Sequence, residues 1–161
     1  MRTCVTALTL LLATACASTI VDRRSTTAAI NVVIDDWHKA ASQADETRYF
    51  EHMAGDAIFL GTDATERWDK ASFRDFAHPY FAKGKAWTFT PHDRHVYISA
   101  RGDAAWFDER LDSTSYGECR GTGALRHENG SWRISQYNLS IPIPNSLAKE
   151  LVQKIRETGK P

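Results

Sequence analysis

Between Trp87 and Ile141 the apolar residues recur at every second position, and turn signals cut the run into four segments. That rhythm commits this part of the chain to successive antiparallel strands with one buried and one solvated face. Trp87 and Phe89 alternate with Thr88 and Thr90, while Val96 and Ile98 carry the apolar face later in the same segment. The parity changes across 91–94, beginning at Pro91, so one long strand should bend or bulge there. Strands are expected over 104–114, 116–127 and 132–141. They are parted by Arg101-Gly102-Asp103 and by Asn129-Gly130, a strong hairpin signal. Pro142 and Pro144 close the sheet, and Asn145 can cap a last helix over 146–157.

Ahead of Gly84 the period is mostly helical. From Thr27, Ile30, Val33, Ile34, Trp37, Ala41 and Ala44 fall at steps of three and four, the mark of one buried stripe. Asp45 can cap a short helix through Tyr49, Phe50 and Met53, ended by Gly55. Residues 57–60 then form an apolar strand on which 66–68 can pair back. Asp69 reads as the cap of a third helix whose Phe73, Phe76, Ala77 and Tyr80 share a face, with Pro79 expected to kink or split it. Helices first and strands after make an α+β domain, with helices on one face of a curved antiparallel sheet.

Residues 1–15 read differently. Arg2 is followed by an uncharged apolar run over 4–15, too short to span a bilayer and of the size of an export-signal core. Ala13-Thr14-Ala15 is a small-x-small cleavage pattern, and Cys16 follows it, which resembles a bacterial lipobox. The expected organisation is therefore a signal peptide over 1–15, a polar tether over 16–27 and one domain over 28–161. Lipidation of Cys16 would leave Cys119 as a lone internal thiol and would hold the protein at the periplasmic face of a bacterial membrane. Ordinary cleavage would leave it periplasmic or secreted.

Composition narrows the function classes. Twenty Lys plus Arg balance twenty Asp plus Glu, so no basic field exists to hold nucleic acid. Five Trp, five Tyr and seven Phe promise a well-filled interior. No Gly-rich phosphate loop, nucleophile elbow or metal-ligand motif is present, so no cofactor and no metal are expected.

The element order, with the segments AIFLGT, GDAAWF, CRGTGAL and NGSWRISQYNLS, resembles the SnoaL-like branch of the nuclear-transport-factor-2-like superfamily over about residues 28–144. The resemblance implies a cone in which a bent sheet wraps the helices and leaves a pocket at its open end. It also implies a homodimer formed through the outer sheet face. Members include isomerases, cyclases and dehydratases as well as proteins that only bind, so fold alone licenses a pocket and not a reaction.

Alternation places Trp132, Ile134, Gln136 and Asn138 on one face of the last strand. Relatives often carry histidines at the last two places, where this chain holds amides that cannot shuttle protons. On strand 104–114, Ala105, Phe107, Glu109 and Leu111 form the expected inner face, with Asp108 inheriting the role of pocket carboxyl if the register is reversed. Glu109 can act as a general acid or base, or pair with Arg120 on the next strand. His92 and His95 should point to opposite faces, and His38 and His127 read as surface residues. The leading expectation is a pocket for a small, partly apolar molecule, lined by Trp37, Phe59, His78, Tyr80, Trp87, Phe107, Gln136 and Asn138. Its rivals are a cofactor-independent isomerase, cyclase or dehydratase using Glu109 or Asp108, and a structural envelope module filled by its own aromatics.

Overall fold

The computed structural model describes residues 21–158; the expected signal peptide and Cys16 lie outside them. The first helix, α1 (Arg23–Ser42), begins four residues earlier than the periodicity suggested. Asp22 sets the start by accepting hydrogen bonds from the amides of Arg24 and Ser25, so residues 23–27 of the expected tether are helical. Helix α2 (Glu46–Glu51) is capped by Asp45 and stops at His52 rather than at Gly55. Strand β1 (Met53–Leu60) thus takes the residues expected to finish that helix. Strand β2 (Arg67–Asp69) pairs back on it, and helix α3 (Lys70–Ala82) follows with Asp69 as its cap. Pro79 lies inside α3 without splitting it. The helix buries Phe73, Ala77 and Phe81, while Phe76 and Tyr80 stay exposed.

Strands β3 (Thr90–Ile98), β4 (Ala104–Ser113), β5 (Gly117–Glu128) and β6 (Ser131–Ser140) form the antiparallel run, with Trp87 and Phe89 left in the loop that leads to it. The sheet order is β2-β1-β6-β5-β4-β3. Sequence reading gave no hint that β1 would lie parallel to β6, which joins the small hairpin to the main sheet. Asn129 and Gly130 both take positive φ at the β5–β6 turn, the conformation that a two-residue hairpin demands. Helix α1 lays Ile30, Ile34 and Trp37 on the inner face of this sheet. Tyr49, Phe50, Phe73 and Phe81 build a second, aromatic part of the same core.

Two irregularities decide which residues face inward. Asp93 adopts φ 49° and the β3–β4 register slips between His92 and His95. This is the bend expected after Pro91, and its effect is to put both histidines on the outer face. His92 lies near Asp112 and His95 near Asp108, not on opposite sides as simple alternation required. The second slip lies between Ala124 and Leu125 opposite Ser135 on β6. Before it, Trp132 and Ile134 point inward; after it, Tyr137 and Leu139 do. Gln136 and Asn138 are therefore turned to the outer face, the reverse of the expected arrangement.

Candidate functional site

The interior of the cone divides into a closed part and an open one. In the closed part β4 aims Glu109 inward, where it is 1% exposed. His38, expected at the surface, reaches down from α1 and places Nε2 2.7 Å from Glu109 Oε1. A carboxylate only accepts, so Nε2 carries the hydrogen. The β3 bulge swings Arg94 inward, and its Nε donates to Glu109 Oε2 at 2.8 Å. Arg94 Nη1 donates onward to Asp35 Oδ1 at 2.8 Å and to the side chain of Asn31, tying the sheet to α1. Tyr137 Oη donates to Glu109 Oε1 at 3.4 Å. Burial works against the Glu109 charge, but His38 and Arg94 outweigh it and hold the carboxyl below its ordinary range. Burial and the adjacent Glu109 push the Tyr137 phenol well up.

Gly121 and Gly123 explain how this cluster fits. A Cβ on Gly121 would land on Tyr137 Oη, and one on Gly123 would meet the Phe107 ring. The room those glycines leave is filled by the protein's own side chains. Arg120, offered above as a partner for Glu109, sits on the outer face opposite Arg110. Asp108 is likewise turned outward, beside His95.

The open part is a cavity of about 450 Å³ at the end of the sheet where β1, β4 and β6 finish. Its walls are aromatic. Phe59, Phe73, Trp68 and Phe76 form a run of near-parallel rings, with centroids 3.9 Å apart for Phe59–Phe73 and 4.8 Å for Trp68–Phe76. Trp87 packs on Phe73 and Tyr80 on Phe76, and the two stand edge to face with each other. Threonines and serines of the 61–62, 88 and 113–115 segments supply hydroxyls at the rim. Among the described residues, the charged ones in its lining are Glu66 and Lys85.

Of the residues expected in the pocket, Phe59, Tyr80 and Trp87 line this cavity. Trp37 and Phe107 are instead buried in the core, where both pack on Tyr137. His78 is an exposed partner of Glu46, and Gln136 and Asn138 face outward. The sequence reading missed Trp68, Phe73, Phe76 and Phe89 as lining residues, and His38 and Arg94 as partners of Glu109. A signal for His38 existed, since it follows Ile30 and Ile34 at intervals of four and so extends the buried stripe. Cys119 is buried, and burial raises its thiol pKa, which disfavours the reactive thiolate. Among the described residues no group of three or more His, Cys, Asp or Glu could hold a metal ion.

Residues 30–144 match the SnoaL-like domain. No curated protein matches the chain. Among solved structures it is similar to an NTF2-like protein of unknown function from Pseudomonas putida, with 17% identity, 76% of this chain and 90% of that one covered, and a TM-score of 0.64. It is also similar to a protein from Streptomyces avermitilis described as a candidate dehydratase of the NTF2-like family. There the identity is 12%, the coverage 75% and 99%, and the TM-score 0.64. A third, described as a candidate aromatic ring hydroxylase from Novosphingobium aromaticivorans, shares 17% identity over 75% and 92% of the two chains, with a TM-score of 0.62. At such identities the likeness is one of fold.

Proposed function

Since the chain belongs to the SnoaL-like domain family, we propose that it binds a small, largely apolar, planar molecule in the ring-lined cavity at the open end of its cone. The observation that carries this reading is the separation of the two parts of the interior. The cavity is lined by rings and hydroxyls, with Glu66 and Lys85 also in its lining, while Glu109, the one buried carboxyl among the described residues, lies outside its walls, occupied by His38 and Arg94. A volume of about 450 Å³ with aromatic rings in its walls and hydroxyl and charged groups among them suits a ligand of one to a few fused rings that carries a polar group. Offset stacking on Trp68 and Phe76 would supply affinity, and rim hydroxyls would fix orientation.

Isomerase or cyclase chemistry through Glu109 is less well supported, because a general acid or base must come within hydrogen-bond reach of its substrate. Glu109 is enclosed on both oxygens, and Asp108 faces outward. A purely structural envelope module is less well supported too, since the protein's aromatics line the cavity without filling it.

The leader pattern over 1–15 and the small residue before Cys16 support an exported, lipid-anchored protein. A homodimer through the outer sheet face is supported by the stacked, half-exposed Tyr97 and Trp106. Native mass spectrometry of the protein purified from its source tests the whole reading. A retained small molecule, a lipid mass on the peptide beginning at Cys16, and a dimeric ion are the expected results. A ligand-free protein unable to take up planar apolar probes would overturn the binding role. An unmodified Cys16 or a monomer would overturn the anchor or the dimer.

A further inference from the structure

The last helix, α4 (Asn145–Thr158), lies beyond the residues that match the family and buries none of its own. Leu147, Leu151 and Ile155 recur at intervals of four, and Ala148 and Val152 sit between them on the same side. At about 100° per residue these five cover roughly 140° of the circumference. Leu147, Val152 and Ile155 are each 45–62% exposed and Ala148 and Leu151 are half-buried, so among the described residues most of this apolar stripe is left open to solvent. Ile141 and Ile143, just ahead of the helix, are exposed as well.

The charges are ordered around the stripe. The charges nearest the stripe are basic, Arg156 on the Val152 side and Lys154 on the Leu147 side, while Lys149 and Glu150 stand equally far beyond its two edges and Glu157 lies farther round. Lysine and arginine can lay their methylenes along an apolar surface and lift their charges to a headgroup layer. The ion pair from Lys154 to Glu150 at 2.7 Å is exposed and costs little to break. A protein partner fits this face less well, because protein interfaces favour aromatic, Met and Arg side chains over Lys, and the stripe holds only aliphatic ones. Fourteen residues span about 21 Å, too short to cross a bilayer core of about 30 Å but long enough to lie on one.

We propose that α4 docks on a lipid surface, lying in the headgroup layer of an anionic bilayer with Leu147, Leu151 and Ile155 immersed and its basic borders on lipid phosphates. This does not depend on the fate of Cys16. It has a corollary that rests on the binding role proposed above. Leu139 lines the cavity, and α4 begins just past Ser140 across Ile141 to Pro144. The cavity mouth, rimmed by exposed Phe76, Tyr80 and Tyr116, would then open beside the lipid, the phase in which an apolar ligand is held.

The test uses the full chain with Cys16→Ser, to exclude an acyl anchor, and Leu151→Trp as a reporter, with the Cys16→Ser parent's emission subtracted. The reporter should shift to the blue with vesicles of phosphatidylcholine and phosphatidylglycerol and be quenched by lipids brominated high on the acyl chain. Phosphatidylcholine alone should act more weakly. Adding Lys149→Glu and Lys154→Glu should lower partitioning into the anionic vesicles by about tenfold or more. No quenching by either vesicle would overturn the proposal. So would a blue shift without lipid: one growing with protein concentration would put a second copy on the helix, and one independent of concentration would put the helix on its own domain. Loss of probe binding by the cavity with quenching intact would break only the corollary.

Discussion

The two parts of the cone interior are built from the same strands and differ in what fills them. Near the middle, β4 and β6 send Glu109 and Tyr137 inward, and α1 and the β3 bulge close over them with His38 and Arg94. Toward the open end, β1 and β6 send in Phe59 and Leu139, α3 and its following loop add more rings, and a cavity remains between these side chains and the 113–116 segment. The Glu109 cluster is thus sealed away from the cavity, whose own lining combines aromatic rings with hydroxyls and the charged Glu66 and Lys85. A carboxyl buried in a pocket-forming fold is easily read as catalytic. Here its partners make it a tie between helix and sheet, since Arg94 binds Glu109 and the α1 residues Asp35 and Asn31 at once.

Breaking that tie should produce the largest effect. Glu109→Ala removes the buried acceptor that His38 and Arg94 share, leaving Arg94 with only the exposed Asp35 as counter-charge, and should cost about 3–5 kcal/mol of folding stability in urea denaturation. A loss below about 1 kcal/mol would mean that the charges are solvated and that the interior is not divided as described. Gly121→Ala tests the same region by space rather than charge. Its Cβ would collide with Tyr137 Oη, and a loss of about 1–3 kcal/mol is expected, read as a fall in Tm.

Acid should expose the tie as well. The folded-state pKa of Glu109 is lowered from its unfolded value near 4.5, so its contribution is present above that value and fades as pH falls below it. Stability followed downward from pH 6 should drop more steeply in the wild type than in Glu109→Gln, and parallel curves would contradict the charged pairing. The smallest stability effect belongs to the open part. Phe76→Ala and Tyr80→Ala remove rings that are 43% and 47% exposed, and should change stability by no more than about 0.5 kcal/mol. Both should nevertheless weaken binding of a planar apolar probe in a fluorescence titration.

Much of this architecture was legible because it rests on local rules. The caps at Asp45 and Asp69, the Asn129-Gly130 turn and the alternation through β4 all follow from residues close in sequence. That alternation also put Glu109 inward. The site was less legible because two bulges reset which residues face it. Pro91 and the change in parity announced the first, although not that Arg94 would swing in. The second, at Ser135, has no glycine or proline to mark it, and it exchanged Gln136 and Asn138 for Tyr137 and Leu139. The partners of Glu109 come from 71 and 15 residues away, a pairing that only the folded chain assembles. The parallel contact of β1 with β6 is of the same kind.

The division of the interior is tested most directly by titrating wild type, Glu109→Gln and Phe76→Ala/Tyr80→Ala with a neutral planar probe such as 2-naphthol, following the emission of Trp68 and Trp87, both of which line the cavity. The account predicts a dissociation constant within about twofold of wild type for folded Glu109→Gln, and one weakened by about tenfold or more for the double variant. Affinity lost with Glu109→Gln and kept in the double variant would contradict it, since the ligand would then be meeting the buried carboxyl and not the rings.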